Sequence, residues 1–374
     1  MPGSLKVAAI QMDAAPASIE VRLNRAASAV AQAAEKGASL VVLPQQFATG
    51  YSYDDTQYEQ SQTLDDEIVS WMKQQAAQHD VHMIGSLLLW DVDEVYNAAL
   101  IVAPDGQSWR YDQQFPFLWE RALFRDGEHV LVAQTAIGRI GVLVGWDALH
   151  PELWMRYAAN VDLMVVLHAM PDGSQAQMQP PEGQALDLSG LGALMSVSSA
   201  FEAYILAQAR WIGVPLVIAG VSGKLDTMLP LPRLSVLPLS LVESNLWGYL
   251  EQAHDLRLQA PFIVKTGIYD ANGRALSFVE NDGDQVVSVM LDFPAHRPMP
   301  QASQPDVEFP QSLLLTVDAL SAAAYAPVYQ RSQRRQWGAR MAPTSSKTRI
   351  WLLTTALALL VGFISGITAR RLQR

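Results

Sequence analysis

Polar residues that can take part in acid–base or metal chemistry follow two apolar segments of the chain. Asp147 and His150 come just after the apolar run 141–145, and His168 directly follows a second apolar run. Carboxylate and imidazole groups act as general acids, general bases and metal ligands, so an acid–base pair or a metal site is one interpretation. We favour the alternative interpretation, in which these side chains have structural roles. His150 opens a helix before Pro151 and should be partly exposed, and neither a metal nor a cofactor is expected.

Composition restricts the chemistry further. The 374 residues include no cysteine, which excludes disulfides and every thiol nucleophile. The turn at Ser222 lacks the GxSxG pattern of a serine nucleophile elbow. Charged residues make up only 17% of the chain, and no basic stretch is interleaved with aromatics in its body. Nucleic acid is therefore not an expected partner.

Apolar runs and helical patterns alternate along the chain and predict the elements that position these side chains. The predicted helices cover 19–35, 65–79, 151–159 and 199–211, and the predicted strands cover 6–12, 39–43, 81–89, 97–102, 107–111, 141–145, 163–167, 215–219, 266–269, 275–279 and 286–291. Turn signals at 104–106 and 270–273 predict two hairpins. Because hairpins interrupt the alternation of helix and strand, we expect an α/β domain with mixed sheets covered by helices.

Three stretches depart from this alternation. Residues 171–190 are polar and contain prolines, and residues 224–260 contain an apolar, proline-rich run without a clear period. Both are predicted insertions, which form either a lid over the body or a surface for a partner or a membrane. Residues 294–349 begin with prolines, pass a short apolar run and end basic. This composition predicts a linker with one possible docking helix.

A long uncharged segment lies near the end of the chain. Residues 350–368 form a run of 19 residues without charge, flanked by basic residues at both ends. About 20 apolar residues are needed to cross a bilayer as a helix, so we predict one transmembrane helix followed by a basic tail, 369–374. Gly362 and Gly366 form a GxxxG pair, which lets two such helices approach closely.

The charge is unevenly distributed. Nine of the 26 basic residues and none of the 37 acidic residues lie from Arg331 onward, which leaves 17 basic residues and a net charge of −20 in residues 1–330. An acidic body with a basic end suggests a membrane or a partner at that end. Six basic residues precede the predicted span and three follow it. By the positive-inside rule, we expect a single-pass protein with its large N-terminal domain on the cytoplasmic side.

Five local patterns, spread over about residues 5–293, resemble the nitrilase or carbon–nitrogen hydrolase superfamily and follow that family's order. The patterns are LVVLP at 40–44, YNA at 96–98 with PDG at 104–106, YD at 111–112 with WER at 119–121, GRIGVLV at 138–144 with WD at 146–147, and GVPLV at 213–217 with DANGR at 270–274. The resemblance implies an αββα sandwich of mixed sheets over residues 1–293. It also implies that two such domains pair as a homodimer.

The family's chemistry requires a cysteine thiolate as nucleophile, a glutamate that takes the thiol proton and a lysine that stabilises the tetrahedral intermediate. The resemblance places Gln45 at the glutamate position, Gln113 at the lysine position and Gly145 at the cysteine position. A second, positioning glutamate is retained as Glu120. Because a carboxamide neither accepts a proton near neutral pH nor carries charge, and Gly145 has no side chain, we predict that the catalytic triad is lost.

The exchanges to glutamine keep the size and hydrogen-bonding capacity of the original side chains, so a polar pocket is expected to persist. The residues predicted to line it are Gln45, Gln113, Glu120, Trp146, Asp147 and His168. Our main hypothesis is a membrane-tethered pseudoenzyme that acts as an interaction or assembly subunit, through self-association or within an integral membrane complex. The alternatives are a module that binds or senses a small amide or carboxylate, and a carbon–nitrogen hydrolase with relocated catalytic residues.

Overall fold

The structure is a computed structural model, and it describes residues 3–54, 56–91, 94–189, 197–241, 243–263, 266–294, 296–305 and 311–336. The predicted span 350–368, with Gly362 and Gly366, lies outside these residues. Among the described helices, none combines the length and the apolar character that a membrane crossing requires.

The helices and strands alternate as the sequence predicts. The α-helices are α1 (Ile19–Glu35), α2 (Thr56–Glu59), α3 (Glu67–His79), α4 (Pro151–Tyr157), α5 (Val197–Ile212), α6 (Pro232–Leu239) and α7 (Gln311–Gln336). The strands of the body are β1 (Ser4–Asp13), β2 (Leu40–Val42), β3 (His82–Asp91), β4 (Glu94–Val102), β5 (Ser108–Asp112), β6 (Val132–Thr135), β7 (Gly138–Val144), β8 (Leu163–His168), β11 (Leu216–Ser222), β14 (Gly267–Tyr269), β15 (Ala275–Phe278) and β16 (Gln285–Asp292). Strands β9 (Gln177–Gln179), β10 (Leu186–Asp187), β12 (Lys224–Met228) and β13 (Arg257–Pro261) belong to the two insertions.

The body strands form two halves of one mixed sheet. The first half runs β5-β4-β3-β2-β1, with β16 antiparallel to the other edge of β1, and the second runs β6-β7-β8-β11-β14-β15. The halves are joined where the end of β1 pairs with β11, Met12 opposite Val221 and Asp13 opposite Ser222. Parallel pairs occupy the centre of each half and hairpins occupy the rims.

Alternating side chains on β1 show how the layers are stacked. Val7 and Ala9 belong to the buried cluster shared with the second half-sheet, whereas Ala8 and Ile10 pack in the cluster that contains α1 and α3. Successive residues of a strand point to opposite faces, so each half-sheet has one face on the other half and one face on helices. Helices α4 and α5 supply buried residues on the second half. The result is an αββα sandwich, which confirms the predicted nitrilase-like α/β fold with mixed sheets.

The two insertions meet in space and form one small sheet. Strands β9 and β10 come from the first insertion, β12 and β13 come from the second, and their order is β10-β9-β13-β12 with every pair antiparallel. Helix α6 and a 3₁₀ segment, Ser244–Asp255, complete this unit. Its apolar residues share a buried cluster with Tyr53 and Trp119 of the body. The unit is therefore an integral layer over the body.

Helix α7 lies within residues 294–349, for which the sequence left open one docking helix. Its buried positions recur every three or four residues, as they do on the packed face of an amphipathic helix: Leu314, Val317, Ser321, Tyr325 and Tyr329. This face lies on the 3₁₀ turn Leu118–Ala122, the segment that carries Glu120. Helix α7 thus contacts one of the predicted pocket segments.

Candidate functional site

The structure brings together the positions that the sequence assigned to a lost triad. Gln45 lies just beyond β2, Gln113 directly follows β5, and Gly145 directly follows β7. An ideal Cβ atom at Gly145 would lie 3.1 Å from Gln45 Oε1 and 3.5 Å from Gln113 Nε2. A side chain at position 145 would therefore point between the two glutamines.

Glu120 is the centre of a buried hydrogen-bond network at this point. Tyr51 Oη (2.8 Å) and Gln45 Nε2 (3.2 Å) donate to its Oε1. The backbone N–H of Phe117 (2.6 Å) and Gln113 Nε2 (3.0 Å) donate to its Oε2. Burial raises the pKa of Glu120, and these donors oppose the rise because they stabilise the carboxylate. Both carboxylate oxygens are thus satisfied by the protein itself.

The remaining polar atoms of the two glutamines are also engaged. Gln45 Oε1 accepts a hydrogen bond from the backbone N–H of Ala169 at 3.0 Å. Gln113 Oε1 accepts one from Asn97 Nδ2 at 2.7 Å, and its Nε2 also donates to the carbonyl of Phe115 at 3.1 Å. Both carboxamides therefore bond to protein groups through their oxygen and their nitrogen.

Asp147 fastens the loop that carries Gln113 to the turn after β7. Its carboxylate accepts hydrogen bonds from Tyr111 Oη (2.6 Å) and from the backbone N–H groups of Phe115 (2.7 Å) and Gln114 (3.0 Å). Burial raises the pKa of Asp147 to about 7, against the opposing effect of these donors. Its contacts hold backbone in place, as a structural aspartate would.

His150 is buried, so the expectation of a partly exposed histidine is wrong. Its ring stacks on Phe115 with the centroids 3.7 Å apart, and only 1% of the residue is exposed. Its Nδ1 lies 3.0 Å from Glu152 Oε1, and its Nε2 lies 3.4 Å from Asp318 Oδ2 on α7. The sequence could not show this burial, because the covering residues come from distant segments.

The structure does not gather all the predicted lining residues around Glu120. The Trp146 ring packs 4.3 Å from that of Phe117, and its indole N–H donates to Asp318 Oδ1 at 3.1 Å. His168 is buried beside Phe201 of α5, with ring centroids 5.3 Å apart. Trp146 therefore connects the site to α7, and His168 belongs to the packing between β8 and α5.

Several members of the network were missed as functional residues by the sequence analysis. Tyr51 and Asn97 stand within or beside the segments that carry the resemblance, but their roles become visible only as hydrogen bonds. The backbone donors of Phe117 and Ala169 have no signal in residue type. Within the described part of the chain, no group of three or more metal-binding side chains is placed to hold an ion.

Two surface cavities lie away from this network. One, of about 380 Å³, is lined by residues of the Glu120 segment and α7, among them Arg125 and Tyr329. The other, of about 470 Å³, lies beside β14 and β15 and includes Tyr269 and Phe278. Neither cavity is lined by the two glutamines or by Gly145.

The fold is shared with solved structures of nitrilase-superfamily proteins. A CN-hydrolase superfamily protein from Xanthomonas campestris, XC1258, aligns with a TM-score of 0.56 and 15% identity over 91% of this chain and 99% of that one. Nit3 of Saccharomyces cerevisiae aligns with a TM-score of 0.58 and 18% identity over 78% of this chain and 90% of that one. A glutamate-to-glutamine mutant of an amidase from Nesterenkonia sp. AN1 has a TM-score of 0.56 and 18% identity over 78% of this chain and 92% of that one. That amidase carries the acetamide moiety of fluoroacetamide on its active-site cysteine.

The sequence comparisons agree with the fold. Residues 6–186 match the family model for carbon-nitrogen hydrolases. A nitrilase from Pyrococcus abyssi is 28% identical over 152 residues, 40% of this chain and 58% of that protein. The omega-amidase YafV from Yersinia enterocolitica is 28% identical over 134 residues, 35% of this chain and 51% of that protein. The chain thus spans between half and three-fifths of the length of these relatives. Residues 6–186 therefore resemble the carbon-nitrogen hydrolase family, and the described residues share the fold of solved nitrilase-superfamily structures.

Proposed function

We propose that this chain is a membrane-tethered pseudoenzyme of the nitrilase superfamily that acts as an interaction or assembly subunit. The observation that carries the proposal is the closed network around Glu120. The side chains at the glutamate and lysine positions are carboxamides that bond to Glu120 and to other protein groups. The position between them is a glycine, in a chain without cysteine.

The chemistry follows from these replacements. A related amidase from Nesterenkonia sp. AN1 uses a cysteine in its active site, and here no thiol exists to attack a carbon. Gln45 cannot take a proton near neutral pH, and Gln113 offers a neutral dipole in place of the positive charge of the family's lysine. General bases and oxyanion donors typically contribute ~10²–10⁴ in rate each. Loss of all three groups leaves this pocket without a route to the family reaction.

The network stabilises the fold and does not support catalysis. Hydrogen bonds within a buried polar network hold the segments that carry them in one arrangement. Glu120 ties together the segments after β2 and β5 and the turn at 118–122, through hydrogen bonds to Gln45, Gln113 and Phe117. Such a rigid domain, placed at a membrane by residues 350–368, suits an assembly role.

The assembly proposal is tested by the mass of the detergent-solubilised full-length chain. We expect a homodimer or a stoichiometric complex with a membrane protein. The family resemblance implies pairing of the domains, and the GxxxG pair adds a helix contact. Pairing at one contact raises the effective concentration at the other. Gly362→Leu with Gly366→Leu should therefore weaken a homodimer without abolishing it. A chain that is monomeric and free of partners in mild detergent contradicts the assembly role.

A second candidate is a carbon–nitrogen hydrolase with relocated catalytic residues. It is favoured by the hydrolase family match and by the burial-raised pKa of Glu120, since shifted carboxyl groups cluster at active sites. Amide turnover that disappears in the Glu120→Ala variant would support it.

The third hypothesis, a binding or sensing module, requires a ligand to displace hydrogen bonds that the glutamines already make. Thermal stabilisation by small amides or carboxylates, lost in Gln45→Ala, would support that hypothesis.

A further inference from the structure

One carboxylate of helix α7, that of Asp318, contacts the residues that directly follow Gly145 and Glu120. Asp318 Oδ1 accepts a hydrogen bond from the Trp146 indole N–H at 3.1 Å, and it lies 3.6 Å from the Arg121 guanidinium. Trp146 directly follows Gly145, and Arg121 directly follows Glu120. Arg121 Nε also donates to Ser321 Oγ, one turn further along α7, at 3.0 Å. The helix therefore bridges two segments that meet at the pocket.

A second line of contacts runs from α7 to Glu120 through aromatic side chains. The indole N–H of Trp119 donates to Tyr325 Oη at 2.9 Å. The Trp119 ring lies 5.3 Å from the ring of Tyr53, whose hydroxyl is 3.2 Å from that of Tyr51. Tyr51 in turn donates to Glu120. Each neighbour in this series is buried or half-buried, so a shift of α7 alters packing that reaches the network.

We propose that α7 is an intramolecular strap that holds the two pocket segments, residues 113–122 and 145–150, in their closed arrangement. Release of α7 would remove its contacts with Trp146 and Arg121 and loosen the Glu120 network. Coupling between two sites is reciprocal, so disruption of the network should also loosen the strap. These contacts of α7 do not depend on whether the pocket is catalytic.

The absence of cysteine makes thiol labelling a direct test in the full-length chain. Ser321→Cys places a thiol on the buried face of α7, where the residue is 3% exposed, and Ala323→Cys places one on the exposed face of the same helix. We expect Ser321→Cys to label much more slowly than Ala323→Cys. Adding Asp318→Asn should speed labelling at position 321 by about ten- to a hundredfold, the factor carried by hydrogen bonds to a charged group, and leave position 323 unchanged.

Coupling to the pocket is measured separately by hydrogen exchange. In Asp318→Asn, exchange should rise in residues 113–122 and 145–150, while α1 and α3, which pack on the other face of the first half-sheet, stay unchanged. Conversely, Gln45→Ala should speed labelling at position 321. If Asp318→Asn speeds labelling but leaves exchange at 113–122 and 145–150 unchanged, α7 is a packed helix and the strap is refuted.

A second, milder variant keeps the test possible if Asp318→Asn does not fold. If Asp318→Asn does not fold, Tyr325→Phe removes a single hydroxyl from the second line of contacts, and the same two measurements should change in the same direction. Leu315→Ala, at a position on α7 that is 64% exposed, is the matched control and should change neither measurement. Unchanged labelling and exchange in Tyr325→Phe would then overturn the proposal.

Discussion

Residue 145 determines whether this pocket can hold a nucleophile. Gly145 has a φ of +53°, in the left-handed region that glycine adopts freely and that costs other residues roughly 1–2 kcal/mol. We expect Gly145→Cys to fold with a loss of stability of about that size and to hydrolyse neither amides nor nitriles, because the base and the positive charge are still missing. Thermal denaturation and ammonia release measure the two effects. Substantial turnover by this single variant would show that other residues supply those groups.

The burial of Asp147 determines part of the pH dependence of the unfolding free energy. Its pKa rises from 3.8 to about 7, so between those values the folded protein keeps a proton that the unfolded chain releases. Asp147 therefore makes the protein less stable as pH rises from about 4 to about 7, at up to roughly 1.4 kcal/mol per pH unit, with no further change above 7. Asp147→Asn cannot titrate. The unfolding free energy of the natural chain minus that of the variant should fall across this window, and a constant difference would contradict the assignment.

At the scale of elements, the sandwich could be predicted from the sequence because most of its strands are apolar and bounded by turn signals. The predicted helix 19–35 coincides with α1, and the turn at 104–106 separates β4 from β5 as expected. The inserted sheet could not be predicted. Its strands have two to five residues, too few for a pattern, and β9 pairs with β13 across about 80 residues of chain. Helix α7 was underestimated because its docking face includes a polar residue, Ser321, and so lacks a continuous apolar stripe.

The pocket, like the fold, could be predicted from the sequence only in part. The resemblance located Gln45, Gln113 and Gly145, and the structure brings these positions together. The hydrogen bond from Ala169 to Gln45 and the contact of Trp146 with Asp318 depend on tertiary packing. No local pattern encodes either contact.

The C-terminal half of α7 offers an element-scale test. Tyr329 is 1% exposed, and its hydroxyl accepts a hydrogen bond from the backbone N–H of Val95 at 2.8 Å and donates to Glu94. Tyr329→Phe leaves that buried N–H without its partner, which costs about 1–3 kcal/mol. We expect a loss of that size in urea denaturation. Leu315→Ala, on the exposed face, should stay within about 0.5 kcal/mol of the natural chain. Equal stability of the two variants would show that α7 is not docked on β4.

At the scale of the whole molecule, attachment to the membrane is predicted to depend on residues 350–368 alone. A chain that ends near Ser346 should stay in solution without detergent, because it lacks the uncharged run 350–368. The full-length chain should sediment with membranes and resist extraction by high salt. If the shortened chain still sediments with membranes, the inserted unit formed from 171–190 and 224–260 makes a second membrane contact.

The claim that the pocket performs no carbon–nitrogen hydrolysis is tested most directly by ammonia release from the purified full-length chain over a broad panel of amides and nitriles. We predict a rate equal to that of a heat-denatured sample for every compound, because the chain has no cysteine and its two glutamines are bonded to Glu120. Ammonia release above that background, lost in the Glu120→Ala variant, would contradict the account and assign a relocated active site to this pocket.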